Sequence, residues 1–416
     1  MKSRGVLVAF TVLILAALAC SMPLGNNPAA TPSTVPVPAL QTEPPTAVLK
    51  VTTLVPPTEP AAPTDVAQPT AVPTTPPAVE APTTPAGLNP VVLLKIDPQT
   101  QQASSLRVVD AVTGQTQATS PVNGLSAGLY PLADAKSIFY TDPQSAGVHM
   151  ASFDGQAHDL AFMTQGETNF SGIFLPSPDG ARIAWSKVLS EDSTGTHSQL
   201  MIANVDGSNQ KTVIDQTVNP PSRPEPVRWS NDGKSLYYTN MPYGIGGYIL
   251  FYGGPDLVKL DLASGNSTQI LKTGCLCSAS ISPDESLVVY LQKPEADQLN
   301  IFVKPVTGGD PIKANLPANH LQAGGIVWAP DGRSFLVTAA RGEPDQEAFS
   351  VILFHVADMS SIVLIPDDAR VLEPALWPAP GVVWLNDNAN NAWRMDPANG
   401  TLTQTSTGER ALAGTR

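Results

Sequence analysis

A tight turn recurs along this chain at intervals that fit one supersecondary unit, and that spacing limits the fold more than any other feature. Pro178-Asp179-Gly180, Asn231-Asp232-Gly233, Pro283-Asp284-Glu285 and Pro330-Asp331-Gly332 each precede a short, largely apolar run, over 181–186, 235–239, 286–291 and 334–339. Ala133-Asp134-Ala135 before 137–140 and Ala379-Pro380-Gly381 before 382–385 keep the same register. The central positions fall at 134, 179, 232, 284, 331 and 380, in steps of 45, 53, 52, 47 and 49. A further 45 residues upstream lies Asn89-Pro90, before the apolar run 91–96, which predicts a seventh copy. A repeat of this period is a unit that buries its core by stacking on its neighbours.

Each unit reads as four short strands. Around Asp179 they are expected over 172–175, 182–186, 199–205 and 210–214. The second hairpin carries its own turn, Val205-Asp206-Gly207, with counterparts at Thr113-Gly114, Asp154-Gly155, Ser264-Gly265, Gly308-Gly309 and Asn399-Gly400. Glycine accepts positive φ in such turns, and Asp or Asn bonds its own backbone. Strand runs separated by turns every 8–12 residues specify an all-β array. These units resemble the repeats of the TolB family, in which a Pro-Asp-Gly turn joins the two inner strands. The resemblance covers about 325 residues and implies a β-propeller of four-stranded blades around a channel. Seven turns imply seven blades, with six or eight left open. The first blade lacks an inner strand of its own, because 81–87 is rich in Pro and Thr, and 409–416 is placed to supply it and close the ring.

The first 88 residues are of another kind. Lys2 and Arg4 precede an apolar stretch over 6–18, too short to span a bilayer but fitting a signal peptide. Ala17-Leu18-Ala19-Cys20 resembles a bacterial lipobox, which implies cleavage before Cys20 and lipid on its sulfur; Ala17 stands where that pattern prefers Leu. A plain signal peptide cut near Ala19 is the rival reading. Between Met22 and Pro90 lie 18 of the 42 prolines, many beside threonine, so neither helix nor central strand can persist there. The expected organisation is a lipoprotein signal peptide over 1–19, a disordered Pro/Thr-rich stalk over 20–88, and the propeller over 89–416. A pro-segment is the alternative for the stalk.

The net charge of −13 excludes nucleic acid as a partner, since phosphates need a Lys/Arg surface, and excludes a polybasic grip on lipid. Membrane attachment is therefore assigned to the lipid on Cys20. The turn residues Asp179, Asp232, Asp284 and Asp331 read as caps for backbone N–H groups, and Trp229, Trp328 and Trp377, in one register, as packing between blades. Gly124-Leu125-Ser126-Ala127-Gly128 matches the hydrolase elbow, but it lies in a connector with no helix after it. Gly244–Gly247 lacks the third glycine of a dinucleotide loop. His149, His158, His197, His320 and His355 have no zinc-ligand spacing. No catalytic residue, metal or cofactor is predicted. With Cys20 lipidated, Cys275 and Cys277 remain as an even pair, read as a small disulfide clip or two thiols, with a redox or metal role as the alternative.

With the four strands of a unit lettered A to D in chain order, the A-to-B and C-to-D turns share one end of the array and are short. The B-to-C and D-to-A connections share the other and are long, as over 188–198, 241–255, 293–298 and 341–348. Tyr243, Tyr248, Phe251 and Tyr252 crowd one of these loops among glycines. Glu191, Asp192, Glu225, Glu295, Asp297, Glu343, Asp345 and Glu347 collect at the same end. Exposed aromatics there suit a hot spot or a sugar platform, with Tyr243, Tyr248, Phe251, Tyr252, Glu343 and Asp345 as the candidate binding residues. A self-packed hairpin with a solvated acidic rim is the alternative. The function expected is a surface-anchored, non-catalytic binding or scaffold propeller that recognises a protein, peptide or glycan at the cell envelope. The alternative is a channel-centred enzyme of lactonase, lyase or cyclotransferase type. That alternative needs polar side chains converging on one mouth, whereas the inner strands read as mainly apolar, with Ile173, Phe174, Ile281 and Ile326.

Overall fold

The computed structural model describes residues 90–412 except 98, 101, 127–131, 134–136, 143–146, 153–156, 165–169, 193–194, 243–249, 293–298 and 343–345. The chain divides into two units, Met1–Ala81 and Pro82–Arg416. The first, with the expected signal peptide, Cys20 and most of the stalk, lies outside the described residues.

The second unit is a seven-bladed β-propeller of four-stranded antiparallel sheets. Blade 1 holds β1 (Pro90–Ile96), β2 (Gln102–Asp110) and β3 (Thr116–Ser126). Blade 2 follows with β4 (Leu132–Ala133), β5 (Ser137–Asp142), β6 (Gly147–Ser152) and β7 (Ala157–Thr164). Blade 3 is β8 (Phe170–Pro176), β9 (Arg182–Asp192), β10 (Gly195–Asn204) and β11 (Lys211–Val218). Blade 4 is β12 (Ser222–Trp229), β13 (Ser235–Pro242), β14 (Asp256–Asp261) and β15 (Ser267–Lys272). Blade 5 comprises β16 (Ala279–Ile281), β17 (Leu287–Gln292), β18 (Asn300–Pro305) and β19 (Ile312–Asn315). Blade 6 comprises β20 (His320–Trp328), β21 (Ser334–Arg341), β22 (Ala348–His355) and β23 (Ser361–Asp368). Blade 7 is β24 (Glu373–Ala379), β25 (Val382–Asn386), β26 (Ala392–Met395) and β27 (Leu402–Ser406). The last strand, β28 (Glu409–Leu412), returns to blade 1 and pairs with β1 from Val92↔Leu412 to Lys95↔Glu409, so the ring closes where the sequence places its closure.

The core lies in the seams between blades. Successive side chains of a strand point to opposite faces, so a second strand that packs on both neighbours must be apolar throughout. In β13, Leu236 and Tyr238 pack toward blade 3 with Leu175 and Leu200, while Tyr237 packs toward blade 5 with Ile281 and Val288. In β21, Phe335 and Val337 face blade 5, and Leu336 faces blade 7. Fully burying one such side chain contributes about 1.5–3 kcal/mol. Tryptophan nitrogens tie the seams further: Trp229 Nε1 donates to Leu175 O (3.0 Å), Trp328 Nε1 to Ser280 O (3.2 Å) and Trp384 Nε1 to Ala111 O (3.0 Å). Trp377 is buried in the seam of blades 6 and 7.

The turn aspartates cap backbone. In blades 3, 4 and 5 a serine two residues upstream completes the device. Ser230 Oγ donates to Asp232 Oδ1 (2.7 Å), accepts from Ser235 N (2.8 Å), and Asp232 Oδ1 accepts from Lys234 N (3.0 Å). Ser177–Asp179 and Ser282–Asp284 repeat it. These hydrogen bonds hold the carboxyls of Asp179, Asp232 and Asp284 below the ordinary aspartate value. The next residue needs positive φ, which Gly233 adopts at 65° and, where glycine is absent, Glu285 at 61°. Glu285 is held across the seam, accepting from Asn231 N and from Tyr237 Oη. Beside it the buried Arg228 donates to Ile281 O (2.9 Å), Ser282 O (3.0 Å) and Asn231 Oδ1 (3.0 Å).

Two expectations are corrected. The segment 188–198 is no long loop: β9 and β10 extend as a paired hairpin, with Glu191 opposite Thr196 and Asp192 opposite Gly195. Gly124, Leu125 and Ser126 end the outer strand β3, paired with β2, instead of lying in a connector. A residue in a paired outer strand is not on the strand-to-helix corner that exposes a nucleophile.

Candidate functional site

Strand order sets which residues meet. The inner strands all begin at the end of the propeller where the B-to-C loops leave, so the first residues of β12, β20, β24 and β28 surround one mouth of the channel. The described part of the β13–β14 loop, 250–255, crosses this end as a strap. Leu250 N donates to Gln322 Oε1 on β20 (3.0 Å), tying blade 4's loop to blade 6. Phe251 is 9% exposed and packs on Ala340 and Phe349 of blade 6. Tyr252, next in sequence, is 53% exposed. The strap fits only because its neighbours lack side chains: a Cβ on Gly324 would overlap Phe251, and one on Gly253 would overlap the Cys277 carbonyl.

Beneath the strap lies the β15–β16 connection, where Cys275 and Cys277 are disulfide-bonded, their Cα atoms 5.3 Å apart. Thr273 N donates to Pro255 O (2.9 Å), and the Thr273 hydroxyl lies 3.0 Å from that oxygen and 2.9 Å from Cys275 O.

Charged side chains complete the mouth. Arg223 and Glu225, two apart on β12, form an ion pair with Nε–Oε1 of 2.7 Å. Burial pushes the Glu225 carboxyl above the ordinary glutamate value, and Arg223 opposes that rise. The Tyr252 hydroxyl is raised as well, first by burial and then by the Glu225 charge. Glu373 opens β24 with its Cγ against Gly325; burial among protein atoms raises its carboxyl, and Arg410 of β28 offsets part of the rise. Glu225, Tyr252, Phe251, Gly324, Gly325, Glu373 and Arg410 thus form one arc over blades 4, 6, 7 and 1.

The predicted binding residues divide. Tyr252 stands exposed on the arc. Phe251 is corrected: it is an internal anchor, because the space left by Gly324 takes its ring into blade 6. Tyr243, Tyr248, Glu343 and Asp345 lie outside the described residues. Glu225 belongs to an inner strand, not to a loop rim, and the inner strands carry Arg223, Glu225, Gln322, Glu373 and Arg410 beside their apolar residues, so the expectation of a mainly apolar channel wall is corrected at this mouth. Arg223, Glu373 and Arg410 escaped sequence reasoning. The signal available was that each falls within two residues of the start of an inner strand.

Among the described residues no three His, Cys, Asp or Glu side chains are grouped to hold a metal ion. His149 stacks on Tyr140 in blade 2, His197 meets Asp215 in blade 3, and His320 and His355 bond Ser350 and Ser334 in blade 6. At the opposite end, Val112, Val382, Arg394, Met395, Asn399 and Thr403 line part of a cavity of about 350 Å³ at the seam of blades 7 and 1.

No family model matches the chain. A 151-residue stretch is 31% identical to the Tol-Pal system protein TolB of Francisella tularensis, covering 35% of this chain. Over that stretch the chain is similar to TolB. The chain spans 31% of the length of that relative. Among solved structures, an oligogalacturonate lyase in complex with manganese is 11% identical with a TM-score of 0.50, over 77% of this chain and 90% of its own. TolB from Acinetobacter baumannii is 14% identical with a TM-score of 0.41, over 75% of this chain and 79% of its own. At these identities the likeness to the solved structures is one of fold.

Proposed function

We propose that this TolB-like chain is a non-catalytic binding or scaffold propeller, displayed outside the cytoplasm on a Pro/Thr-rich stalk anchored by lipid on Cys20, and that it recognises a protein, peptide or glycan with its strap-bearing end. The observation that carries the reading is the arc itself. An exposed tyrosine on a strap whose neighbouring residue is locked into blade 6, beside paired charges, presents a rigid amphipathic contact at low entropic cost. The similarity to a protein named for the Tol-Pal system supports a role in an envelope assembly. The lipobox-like Ala17-Leu18-Ala19-Cys20 supports the anchor.

The test places a photo-crosslinking amino acid at position 252 of the full chain in intact cells, with position 265, on the opposite end, as the control. A discrete adduct from 252 and none from 265 supports the reading. Equal labelling, or an adduct from 265 alone, overturns it.

One observation favours a second reading, a channel-centred enzyme: Glu373 is a desolvated carboxyl with a raised pKa at a channel mouth, the character of a general acid. Turnover of a lactone or acidic oligosaccharide that disappears in Glu373→Gln would establish it.

A further inference from the structure

We propose that the Cys275–Cys277 disulfide is a thiol-exchange site that latches the strap, so that a dithiol reductant opens it and thereby changes the presentation of Tyr252. This rests on the reading of the strap-bearing end as the binding face. The two cysteines are separated by a single residue, so the bridge constrains only residues 275–277 of the 273–278 connection. That connection bears the strap: Pro255 O accepts from Thr273 N, Gly253 lies against the Cys277 carbonyl, and Ser278 Oγ lies beside Gly324, under Phe251. Opening the ring frees the peptide that carries the Cys277 carbonyl, on which Gly253 rests directly beside Tyr252. The bridge borders solvent on one side, with Cys277 packed against the core of blades 5 and 6 on the other. Both cysteines keep solvent exposure, and beside Gly274 there is open space, with no atom within 4 Å of a built Cβ.

The exchange balances without another reactant. A thiolate of the dithiol attacks one sulfur, the S–S bond breaks, and the other cysteine leaves as thiolate and takes a proton. The second thiol of the reductant then attacks the mixed disulfide, releasing the first cysteine and closing the reductant's own disulfide. Two electrons and two protons pass to the protein. Opening is reversed by any oxidant able to re-form the bridge.

Hydrogen exchange on the full chain tests the latch, using dithiothreitol as the dithiol and Cys275→Ser/Cys277→Ser as a permanently unbridged form. The mass of the peptide spanning the bridge reports how far it has opened. The expected result is quantitative opening in the folded protein, with the amides of residues 250–254 exchanging about tenfold faster in both forms and blades 1 to 3 unchanged. A bridge that resists dithiothreitol until the protein unfolds overturns the proposal. So does unchanged exchange at 250–254 once the bridge is open, or an equal rise in every blade, which marks a plain structural staple. The readout needs no ligand, so the latch can fail while crosslinking at 252 succeeds, and the reverse.

Discussion

Single carboxyls divide into two groups whose pKa shifts have opposite signs. Asp179, Asp232 and Asp284 lie below the ordinary aspartate value because turn hydroxyls and N–H groups stabilise their charged form. A depressed folded pKa gives stability that is present above the unfolded value of 3.8 and lost as pH falls through the folded one, so this contribution is complete at neutral pH and disappears in acid. Glu373 is the reverse. Its folded pKa is raised by burial, so its protonated form favours folding below the unfolded value of 4.5, and that benefit disappears as pH rises through the folded value. Glu373→Gln keeps the shape without the charge. It is therefore expected to melt at a higher temperature than the parent near neutral pH and at the same temperature near pH 4, by thermal denaturation across that range. An equal melting temperature at neutral pH shows that Arg410 compensates the charge fully. None of this was legible in the sequence, where Glu373 is one acidic residue after a D-to-A connection. Its environment is made by Gly325 and Arg410, each well over thirty residues away.

At the scale of elements, what the sequence reveals depends on how local the cause is. The aspartate turn is closed by groups within five residues, as in Ser230 N to Ser235 O and Ala329 N to Ser334 O, so its four copies are read directly and the strands after them follow. The hairpin of β9 and β10 reads as a loop in the sequence because its outer half, Ser190 to Asp192, is polar and solvated, and pairing with β10 keeps it extended. The strap is the extreme case. Phe251 reads as an exposed aromatic until Gly324, 73 residues on, is seen to make room for it. Gly324→Ala is expected to push Phe251 off blade 6 and cost about 1–3 kcal/mol, the usual penalty for overpacking. Gly265→Ala is the contrasting case: no atom lies within 4 Å of its built Cβ, and the φ of 76° alone should cost about 1 kcal/mol. Urea midpoints separate the two. If Gly324→Ala costs no more than Gly265→Ala, the strap is not seated as described.

For the whole molecule the decisive feature is closure, because a repeat array with two ends exposes two strand edges and two half-seams. Here β28 covers the edge of β1; one contact fastens it within blade 1 and two cross the seam to blade 7. Arg107 on β2 pairs with Glu409, and Asn386 on β25 both donates to Ala411 O (2.9 Å) and receives Ala411 N (2.7 Å). Trp384 reaches Ala111 O from the same strand. The chain's last strand is thus the fourth strand of blade 1, tied to blade 7 through Asn386, and blades 7 and 1 depend on it together. Removing 409–416 should leave Val92, Leu94 and the backbone of β1 exposed, turning one cooperative transition into two, with blades 1 and 7 melting first. Asn386→Ala tests the clamp without removing the strand: two buried backbone hydrogen bonds are lost, at about 1 kcal/mol each or more where the group stays unsatisfied. A single transition for both variants, at the parent's midpoint, requires that the ring be held by the other six seams alone. The seam between blades 7 and 1 would then be a contact between independent neighbours instead of the closure on which the rest of the ring relies.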